Sequence, residues 1–341
     1  MLNVVYRLIS PKRIEANFTD IQLDKCNVIV RPTYLSICHA DQRYFQGERE
    51  ASILMKKLPM ALIHEAVGKV ICDPKGEFQS GDRVILIPNI PFEKDEIVSE
   101  NYLRSSRFRA SSYDGFMQEY VEMDRDRLVK VPYEISDEMG AFTEFVSVCI
   151  HTILRFEKFS HERRKTIGIW GDGNLGYIVA AILSELYPNC KLYIMGLHEE
   201  KLSTFTFADQ TFNVNNIPQG LQIDHAFECV GGSAVQNVME QIIDHINPEG
   251  SIALMGVSEN AIPINTRMIL EKGLRVFGSS RSGKKDFEKV IELYSEYPRL
   301  KDYLLNLVNA VVEVKNINDM LNAFECDMNC SFGKTIMRWK V

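Results

Sequence analysis

Residues 166–187 read TIGIWGDGNLGYIVAAILSELY, and this stretch decides the fold of the second half of the chain. Its first residues, 167–170, have the length and apolar composition of a buried strand. The strand ends in a G-x-G-x-x-G loop, an apolar helical run follows, and a second strand pattern, KLYIMG, occupies 191–196. This order of strand, loop, helix and strand within about 30 residues is typical of a dinucleotide-binding unit. The sequence therefore predicts a dinucleotide site near the middle of the chain.

Each part of the glycine loop has a predicted role. We expect Gly171 to make the tight turn, Gly173 to let the backbone approach a pyrophosphate, and Gly176 to let the helix pack on the strand. Asn174 and Leu175 open the helix, whose N-terminal N–H groups and positive dipole end favour phosphate. The alternative is a glycine-rich strand–helix turn that binds no cofactor.

Size and composition narrow the function classes. The chain has 341 residues, enough for about two domains. It is 45% hydrophobic and 25% charged, as in an ordinary soluble globule, and its net charge of −7 comes without a long basic run. Nothing in this balance favours nucleic acid or an anionic membrane. Neither a signal peptide nor an apolar run of membrane-spanning length is recognisable, so we expect a cytoplasmic protein.

The cysteines are scattered, without a C-x-x-C pair, and they do not indicate a disulfide framework in a cytosolic chain. Most are expected to be small buried hydrophobic residues. Cys38 differs because of its neighbours. The eight positions are Cys26, Cys38, Cys72, Cys149, Cys190, Cys229, Cys326 and Cys330.

The pattern of short strands predicts two kinds of domain. Residues 1–147 contain strand patterns punctuated by Gly, Pro and Asp, which favour a barrel-like antiparallel domain. Those strands are expected at 28–30, 67–72, 84–87, 116–121 and 128–131. Residues 148–278 alternate strands with helices, which predicts a parallel sheet with helices on both faces. The tail, with an amphipathic helix from Asp286, would return to the first domain.

Four residues carry chemistry suited to a metal ion. Cys38 ends an apolar stretch, His64 and Glu65 are adjacent, and Glu144 lies in an otherwise apolar segment just before the second domain. Thiolate, imidazole and carboxylate form a ligand set that suits zinc with one position open for substrate. Taken singly, the cysteine could be packing, the His–Glu pair a surface pair, and Glu144 a helix cap.

Taken together in chain order, these segments resemble the zinc-dependent medium-chain dehydrogenases, which include alcohol, sorbitol and threonine dehydrogenases. The resemblance implies an α/β protein. It would have a GroES-like catalytic domain over 1–147 and 279–341, a Rossmann domain with a doubly wound parallel sheet over 148–278, and a zinc in the cleft between them. The segments that carry it are CHAD at 38–41, HEAVGKV at 64–70, GDRV at 81–84, GFMQEY at 115–120, the glycine loop, ECVGG at 228–232, PEG at 248–250 and MGV at 255–257.

The resemblance also implies roles for single residues. Cys38 and His64 would be zinc ligands, and Glu65 could bind or leave the metal as substrate exchanges. Glu144 stands where the polyol dehydrogenases have glutamate and alcohol dehydrogenases have cysteine. Asp41 would hold the imidazole of His64 in orientation. The zinc would act as a Lewis acid on a carbonyl or alkoxide oxygen during hydride transfer.

The sequence departs from that family in three places. Where many members begin a proton relay with Ser or Thr, this chain has Ala40, and the relay histidine is replaced by Arg43. Tyr44, Glu65 or a zinc-bound water could take over the relay. Residues 89–115, where many relatives bind a structural zinc through four cysteines, contain none. We therefore predict one catalytic zinc and no structural zinc.

The residues at the end of the second strand of the dinucleotide-binding unit indicate which cofactor binds. An NAD site places an acidic residue about 20 residues past the glycine loop, to bond the ribose 2′-hydroxyl. Here the strand ends in Met-Gly-Leu-His, with His198 and Lys201 nearby, which favours the 2′-phosphate of NADPH. The alternative is that Glu199 or Glu200 reaches back to the ribose of NAD.

Basic residues suggest a phosphorylated substrate. Arg43 puts a fixed positive charge near the predicted metal, and Arg104, Arg107 and Arg109 form a second basic group. Arginine matches phosphate geometry, although the second group could equally be a solvated loop. A phosphorylated polyol or ketose would explain these cations together with Glu144.

Over the whole chain the sequence is similar to the ribulose-5-phosphate reductases that supply ribitol 5-phosphate for wall teichoic acid. The carrying segments are RLISPK at 7–12, SICHADQRY at 36–44 and YDGF at 113–116. The similarity implies reduction of D-ribulose 5-phosphate by NADPH, a homodimer, and a cytidylyltransferase acting next. The alternatives are an NAD-dependent sorbitol- or threonine-type dehydrogenase, a zinc-free quinone reductase, or a non-catalytic protein that uses the Rossmann domain as scaffold.

Overall fold

Two compact units make up the chain in the computed structural model, which describes residues 1–22, 27–111 and 113–341. Unit 1 comprises Met1–Ser147, Ser282–Glu296 and Leu305–Val341, and unit 2 comprises Val148–Arg281 and Tyr297–Leu304. Cys26 lies outside the described residues. The other cysteines are free thiols; Cys72 is exposed, and Cys149, Cys190 and Cys229 are buried.

The first part of unit 1 consists of short strands and three short helices. Its strands are β1 (Leu2–Ser10), β2 (Arg13–Asp20), β3 (Val28–Ser36), β4 (Met60–Ala61), β5 (Glu65–Cys72), β6 (Arg83–Leu86), β7 (Asn89–Ile90), β8 (Arg107–Phe108), β9 (Val121–Met123) and β10 (Leu128–Lys130). Its helices are α1 (His39–Gln46), α2 (Ala51–Lys57) and α3 (Asp137–Ala141).

The middle of the chain alternates helices and strands, as its sequence pattern predicts. The helices are α4 (Thr143–Phe159), α5 (Asn174–Leu186), α6 (Glu199–Leu202), α7 (Val235–His245) and α8 (Thr266–Lys272). The strands are β11 (Thr166–Trp170), β12 (Lys191–Gly196), β13 (Gln210–Asn213), β14 (Ile223–Glu228), β15 (Ile246–Leu254) and β16 (Arg275–Gly278). The remaining elements are α9 (Lys284–Glu296), α10 (Pro298–Leu305), β17 (Val308–Val314), α11 (Ile317–Met328) and β18 (Lys334–Trp339).

Unit 1 is built on a sheet of order β10-β6-β5-β3-β18-β17, with β9 also pairing with β3. A smaller sheet has the order β2-β1-β4. The pairings in both sheets are antiparallel except that β17 and β18 run parallel. The core of unit 1 includes apolar residues of β3, β5 and β6, together with Phe324 and Met337 from the C-terminal elements. The tail therefore completes the sheet that the first 147 residues begin.

Unit 2 contains a six-stranded parallel sheet of order β13-β12-β11-β14-β15-β16. In the order of the strands along the chain this is 3-2-1-4-5-6, the arrangement of a doubly wound dinucleotide-binding sheet. Apart from Thr166, all residues of the central strands β11 and β14 are buried, as expected for a parallel sheet covered on both faces. The predicted α/β fold with a parallel sheet is confirmed.

Two segments differ from the sequence predictions. The strand expected at 116–121 is wrong, since the strand is β9, Val121–Met123. The preceding residues bond irregularly instead: the N–H groups of Gly115 and Phe116 donate to the carbonyls of Ala61 and Ile63. Residues 297–304, which the sequence places with the catalytic domain, cluster with unit 2. There the Tyr177 hydroxyl donates to the Tyr303 carbonyl at 3.1 Å.

No helix within the described ranges combines the length and the apolar character needed to span a bilayer.

His225 on β14 is a fully buried imidazole whose two ring nitrogens both have backbone partners. Its Nδ1 accepts from the N–H of Ser251 at 3.1 Å, and its Nε2 lies 3.0 Å from the carbonyl of Arg163. Burial, together with the neighbouring His161, lowers the pKa of His225 to about 4. The neutral ring fits this environment because protonation would remove the acceptor that Ser251 uses.

Unit 2 should therefore lose stability on acidification. The unfolded chain takes up a proton at His225 near the ordinary pKa of about 6.5, whereas the folded unit resists it until about pH 4. The stabilisation is complete above pH 6.5 and is lost as the pH falls towards 4, up to about 3 kcal/mol. We expect the urea-unfolding free energy of His225→Gln to depend less on pH between 7 and 4.5 than that of the unsubstituted protein. His245→Gln, at a partly exposed position, is the control; an unchanged slope in His225→Gln would contradict this prediction.

Candidate metal centre and cofactor site

The pairing of β5 with β3 brings Cys38 and His64 together. Ser36, the last residue of β3, pairs with Glu65, the first residue of β5. Cys38 follows β3 in extended conformation and begins α1, and His64 immediately precedes β5. Because the strands run antiparallel, the residues that follow β3 lie beside those that precede β5. Two segments 26 positions apart therefore meet at one end of the sheet.

Cys38, His64 and Glu65 form a candidate metal centre. Among the described residues they are the single group of three such side chains whose ligand atoms all lie within 4.8 Å of one another. His64 and Glu65 are buried and Cys38 is half-buried. Ligand atoms on one tetrahedral zinc lie about 3.5 Å apart, given zinc bonds of about 2.0–2.3 Å. The donor set and its spacing thus fit zinc.

Asp41, buried in the first turn of α1, holds this centre in place. Its Oδ1 accepts from the Ile63 N–H at 2.9 Å, and its Oδ2 accepts from the Cys38 N–H at 3.2 Å. Asp41 Oδ2 also lies 3.4 Å from His64 Nδ1, which leaves Nε2 of the ring for a cation. Asp41 therefore fixes both chain segments and the orientation of the imidazole.

The charged groups of the centre shift one another's pKa values. Burial lowers the pKa of His64, but Asp41 and Cys38 outweigh it and hold that pKa well above its ordinary value. Burial raises the pKa of the Cys38 thiol, and His64 opposes the rise. A buried thiolate is stabilised by a positive charge nearby, and a divalent cation supplies one.

Glu144, in the first turn of α4, is buried beside the centre. Burial raises its pKa to about 7; His64 opposes this and Glu65 adds to it. Glu144 is not in the group of three whose ligand atoms lie within 4.8 Å. A carboxyl group that titrates near neutrality can hold a proton or, when ionised, bind a cation.

Lys334 is a member of this centre that the sequence analysis did not identify. It begins β18 and is 3% exposed. Its Nζ lies 2.9 Å from Glu65 Oε1 and 5.1 Å from the centre of the Phe145 ring. Burial lowers the pKa of Lys334, but Glu65 and Cys38 outweigh it, so that the pKa is raised. The available sequence signal was a lysine at the start of the closing strand, which alone does not identify a partner.

Arg43 lies on α1, five residues after Cys38, near a second arginine. Burial and the nearby Arg49 guanidinium lower the pKa of Arg43. Arg49 in turn stacks over the Tyr44 ring at 5.0 Å. Two guanidinium groups are thus close together on the segment that carries Cys38.

The other basic group is largely committed to local structure. Arg109 donates to the backbone carbonyl of Glu122 at 2.8 Å and lies 5.6 Å from the centre of the Phe116 ring. Burial lowers its pKa to about 10. Arg107 lies over the Tyr113 ring at 4.9 Å. These contacts favour a structural role for Arg107 and Arg109 over phosphate binding.

In unit 2 the glycine loop has the geometry of a phosphate-binding turn. Gly171 has a φ of +131°, and a Cβ on Gly176 would lie 2.0 Å from the Gly171 carbonyl oxygen. Gly173 differs, because its φ is −91° and a Cβ there would meet no protein atom within 4 Å. Internal packing therefore does not require glycine at 173, whereas close approach of a pyrophosphate would.

Asp172 organises the tip of β12. Its Oδ2 accepts from the N–H groups of Leu197 and His198, each at 2.7 Å, and lies 3.0 Å from His198 Nδ1. Glu199, which could have reached a ribose, accepts from Asn213 Nδ2 at 3.2 Å. Asp172 and Glu199 thus both bond to protein groups, whereas Glu200, the other acid that could reach a ribose, lies in the first turn of α6.

Glu228 ties two neighbouring strand ends together. It is fully buried at the end of β14. Its Oε1 accepts from the N–H groups of Val230 and Gly231 at 2.8 and 2.9 Å, and its Oε2 accepts from the N–H of Gly256 at 3.0 Å. The carboxyl edge of a doubly wound sheet is where ligands bind, so Glu228 shapes the cofactor edge.

Comparison with known proteins decides the family. The model described as "Alcohol dehydrogenase GroES-like domain" matches residues 24–133, and "Zinc-binding dehydrogenase" matches residues 192–296. Ribulose-5-phosphate reductase 1 of Staphylococcus aureus is 51% identical over 339 residues, covering 99% of each chain. This chain belongs to the zinc-binding alcohol dehydrogenase family.

Further relatives narrow its position within the zinc-binding alcohol dehydrogenases. The ribulose-5-phosphate reductase of Bacillus spizizenii is 48% identical, covering 100% of both chains. The crystal structure of S. aureus TarJ in complex with NADPH superposes with a TM-score of 0.90 at 47% identity, again over 100% of both chains. The predicted resemblance to ribulose-5-phosphate reductases is confirmed, and so is the predicted pairing of a GroES-like domain with a Rossmann domain.

Proposed function

We propose that this protein is a zinc-dependent reductase that converts D-ribulose 5-phosphate to D-ribitol 5-phosphate with NADPH. The observation that carries the proposal is the 51% identity, over 99% of each chain, with a ribulose-5-phosphate reductase. The buried donor set of Cys38, His64 and Glu65 and the phosphate-binding loop of unit 2 both suit this chemistry.

The metal would be held by Cys38, His64 and Glu65, with the Glu144 carboxylate as a fourth candidate ligand. When bound, the zinc supplies a Lewis acid for the carbonyl oxygen of the substrate. Asp41 keeps the His64 ring turned so that Nε2 is available, and its burial keeps water from competing for that bond.

Arg43 is proposed to receive the substrate phosphate, with Arg49 beside it. The two guanidinium groups share one segment with Cys38, and repulsion by Arg49 adds to burial in lowering the pKa of Arg43. A phosphate dianion removes that repulsion and matches the planar donor geometry of arginine.

The tip of β12 is proposed to bind the 2′-phosphate of NADPH through His198 and Lys201. One oxygen of Asp172 and one of Glu199 are bonded to protein groups, which makes these two acids less available to a ribose hydroxyl. Asp172 Oδ2 lies 3.0 Å from Nδ1 of His198 and orients the ring, and Lys201 follows in α6. The pyrophosphate would lie over Gly171, Gly173 and the N-terminus of α5 at Asn174, Leu175 and Gly176.

The resemblance to teichoic acid enzymes further supports a homodimer and a cytidylyltransferase that consumes the ribitol 5-phosphate product. Both are proposed here on that resemblance.

A substrate and cofactor panel on purified, metal-analysed protein tests the function. Loss of a phosphate removes charge-assisted hydrogen bonds of about 1.5–3 kcal/mol each. We therefore expect kcat/KM for ribulose 5-phosphate with NADPH to exceed that for unphosphorylated ribulose by about 100-fold or more. Oxidation of sorbitol or threonine with NAD at a comparable rate would instead favour the NAD-dependent dehydrogenases.

The cofactor assignment is tested by His198→Ala. Loss of one charge-assisted contact to the 2′-phosphate should lower kcat/KM for NADPH by roughly 10- to 100-fold and leave that for NADH nearly unchanged. Lys191→Ala, at the exposed opposite end of β12, is the matched control. An equal loss with both cofactors would show that His198 only maintains the loop.

A further inference from the structure

Lys334 and Glu65 form an ion pair at the metal centre from which water is excluded. Lys334 is 3% exposed and Glu65 is fully buried, and their charged atoms lie 2.9 Å apart. The two residues are 269 positions apart in the chain. Removing two charges from water is costly, and replacing such a pair with apolar residues often leaves a protein equally stable or more so. Stability alone is therefore a weak reason for this pair.

The two oxygens of Glu65 have different surroundings. Oε1 accepts from Lys334, whereas Oε2 is buried with no hydrogen-bond partner in the protein. A Glu65 oxygen lies within 4.8 Å of the ligand atoms of Cys38 and His64. An unpartnered carboxylate oxygen in a buried site is costly unless a cation binds it. The carboxylate is thus arranged to serve two positive charges, one on each oxygen.

We infer that Lys334 is a positioning residue that holds one oxygen of Glu65, so that the metal has only the other. The inference rests on the proposed metal site. With Oε1 retained by Lys334, Glu65 can donate a single oxygen and is an exchangeable ligand, which keeps a coordination position for the substrate oxygen. Without Lys334, both oxygens of Glu65 would be available to the metal, and carboxylates are known to bind a divalent cation such as Ca²⁺ through both.

Charge leads to the same expectation. Lys334 places a full positive charge among the groups that hold the metal, and its influence extends to Cys38 as well as Glu65. Its removal strengthens the attraction of those groups for a cation. A merely structural lysine would have the opposite effect, because loosening the site should release the metal faster. The direction of the change in the metal release rate therefore distinguishes a positioning role for Lys334 from a purely structural one.

The test uses the whole protein loaded with Co²⁺ in place of zinc. The visible absorption of Co²⁺ reports its coordination number, and a chelator measures its release rate. In Lys334→Met we expect release to be slower by about tenfold, the size that neighbours of metal ligands commonly contribute. We also expect a spectrum of higher coordination number and a raised KM for ribulose 5-phosphate. Lys340→Met, at an exposed position just after β18, should match the unsubstituted protein in all three.

The Glu65→Gln/Lys334→Met double variant isolates the mechanism. An amide cannot replace the carboxylate as a two-oxygen ligand, so the slowing of release seen in Lys334→Met should largely disappear. Lys334→Arg keeps a cation for Glu65 and should retain the spectrum of the unsubstituted protein. If Lys334→Met does not fold, Lys334→Arg provides the test. A changed Co²⁺ spectrum in folded Lys334→Arg would then overturn the inference.

These measurements distinguish a failure of the proposed role of Lys334 from a failure of the proposed function. Faster or unchanged release in folded Lys334→Met, or slowing that persists in the double variant, would overturn the role of Lys334 alone. Failure of the unsubstituted protein to bind a divalent cation would instead overturn the metal site on which the inference rests.

Discussion

The register of three strands is the constraint on which the metal centre depends. Ser36 on β3 pairs with Glu65 of β5 on one side and with Ile336 of β18 on the other. The N–H of Ile37 continues the second ladder by donating to the Thr335 carbonyl at 3.1 Å. The end of β3 therefore lies between the start of β5 and the start of β18. A shift of one residue in either ladder would turn a charged side chain away from Cys38.

Hydrogen-bonded carboxylates do much of the remaining positioning. Asp41 binds the backbone on both sides of the metal centre, Asp172 binds the tip of β12, and Glu228 joins the ends of β14 and β15. Each accepts two or three hydrogen bonds, so burial of its charge is compensated locally. These carboxylates hold the loops through their hydrogen bonds to backbone N–H groups. Glu65 is the exception, because one of its oxygens has no hydrogen-bond partner in the protein.

Much of the fold and of the candidate site could be predicted from the sequence. The parts that could not be predicted depend on contacts that form only in the folded chain. The glycine loop and the alternation of strands and helices are local patterns, so the parallel sheet followed directly from them. Cys38, His64 and Glu65 were recognisable because their chemistry and order matched a family. Lys334 was not, because its contact with Glu65 depends on the pairing of strands 269 positions apart. Arg107 and Arg109 read as a possible phosphate site, since sequence alone does not show that aromatic rings and backbone carbonyls surround them.

The most direct measurement is metal removal and reconstitution on one preparation of the purified protein. Elemental analysis, NADPH binding and reduction of ribulose 5-phosphate would be followed before chelation, after it, and after zinc is restored. We expect chelation to abolish reduction, zinc to restore it, and NADPH to bind throughout, because the proposed NADPH contacts lie in unit 2. Undiminished reduction by protein shown to contain no metal would contradict the proposed role of zinc.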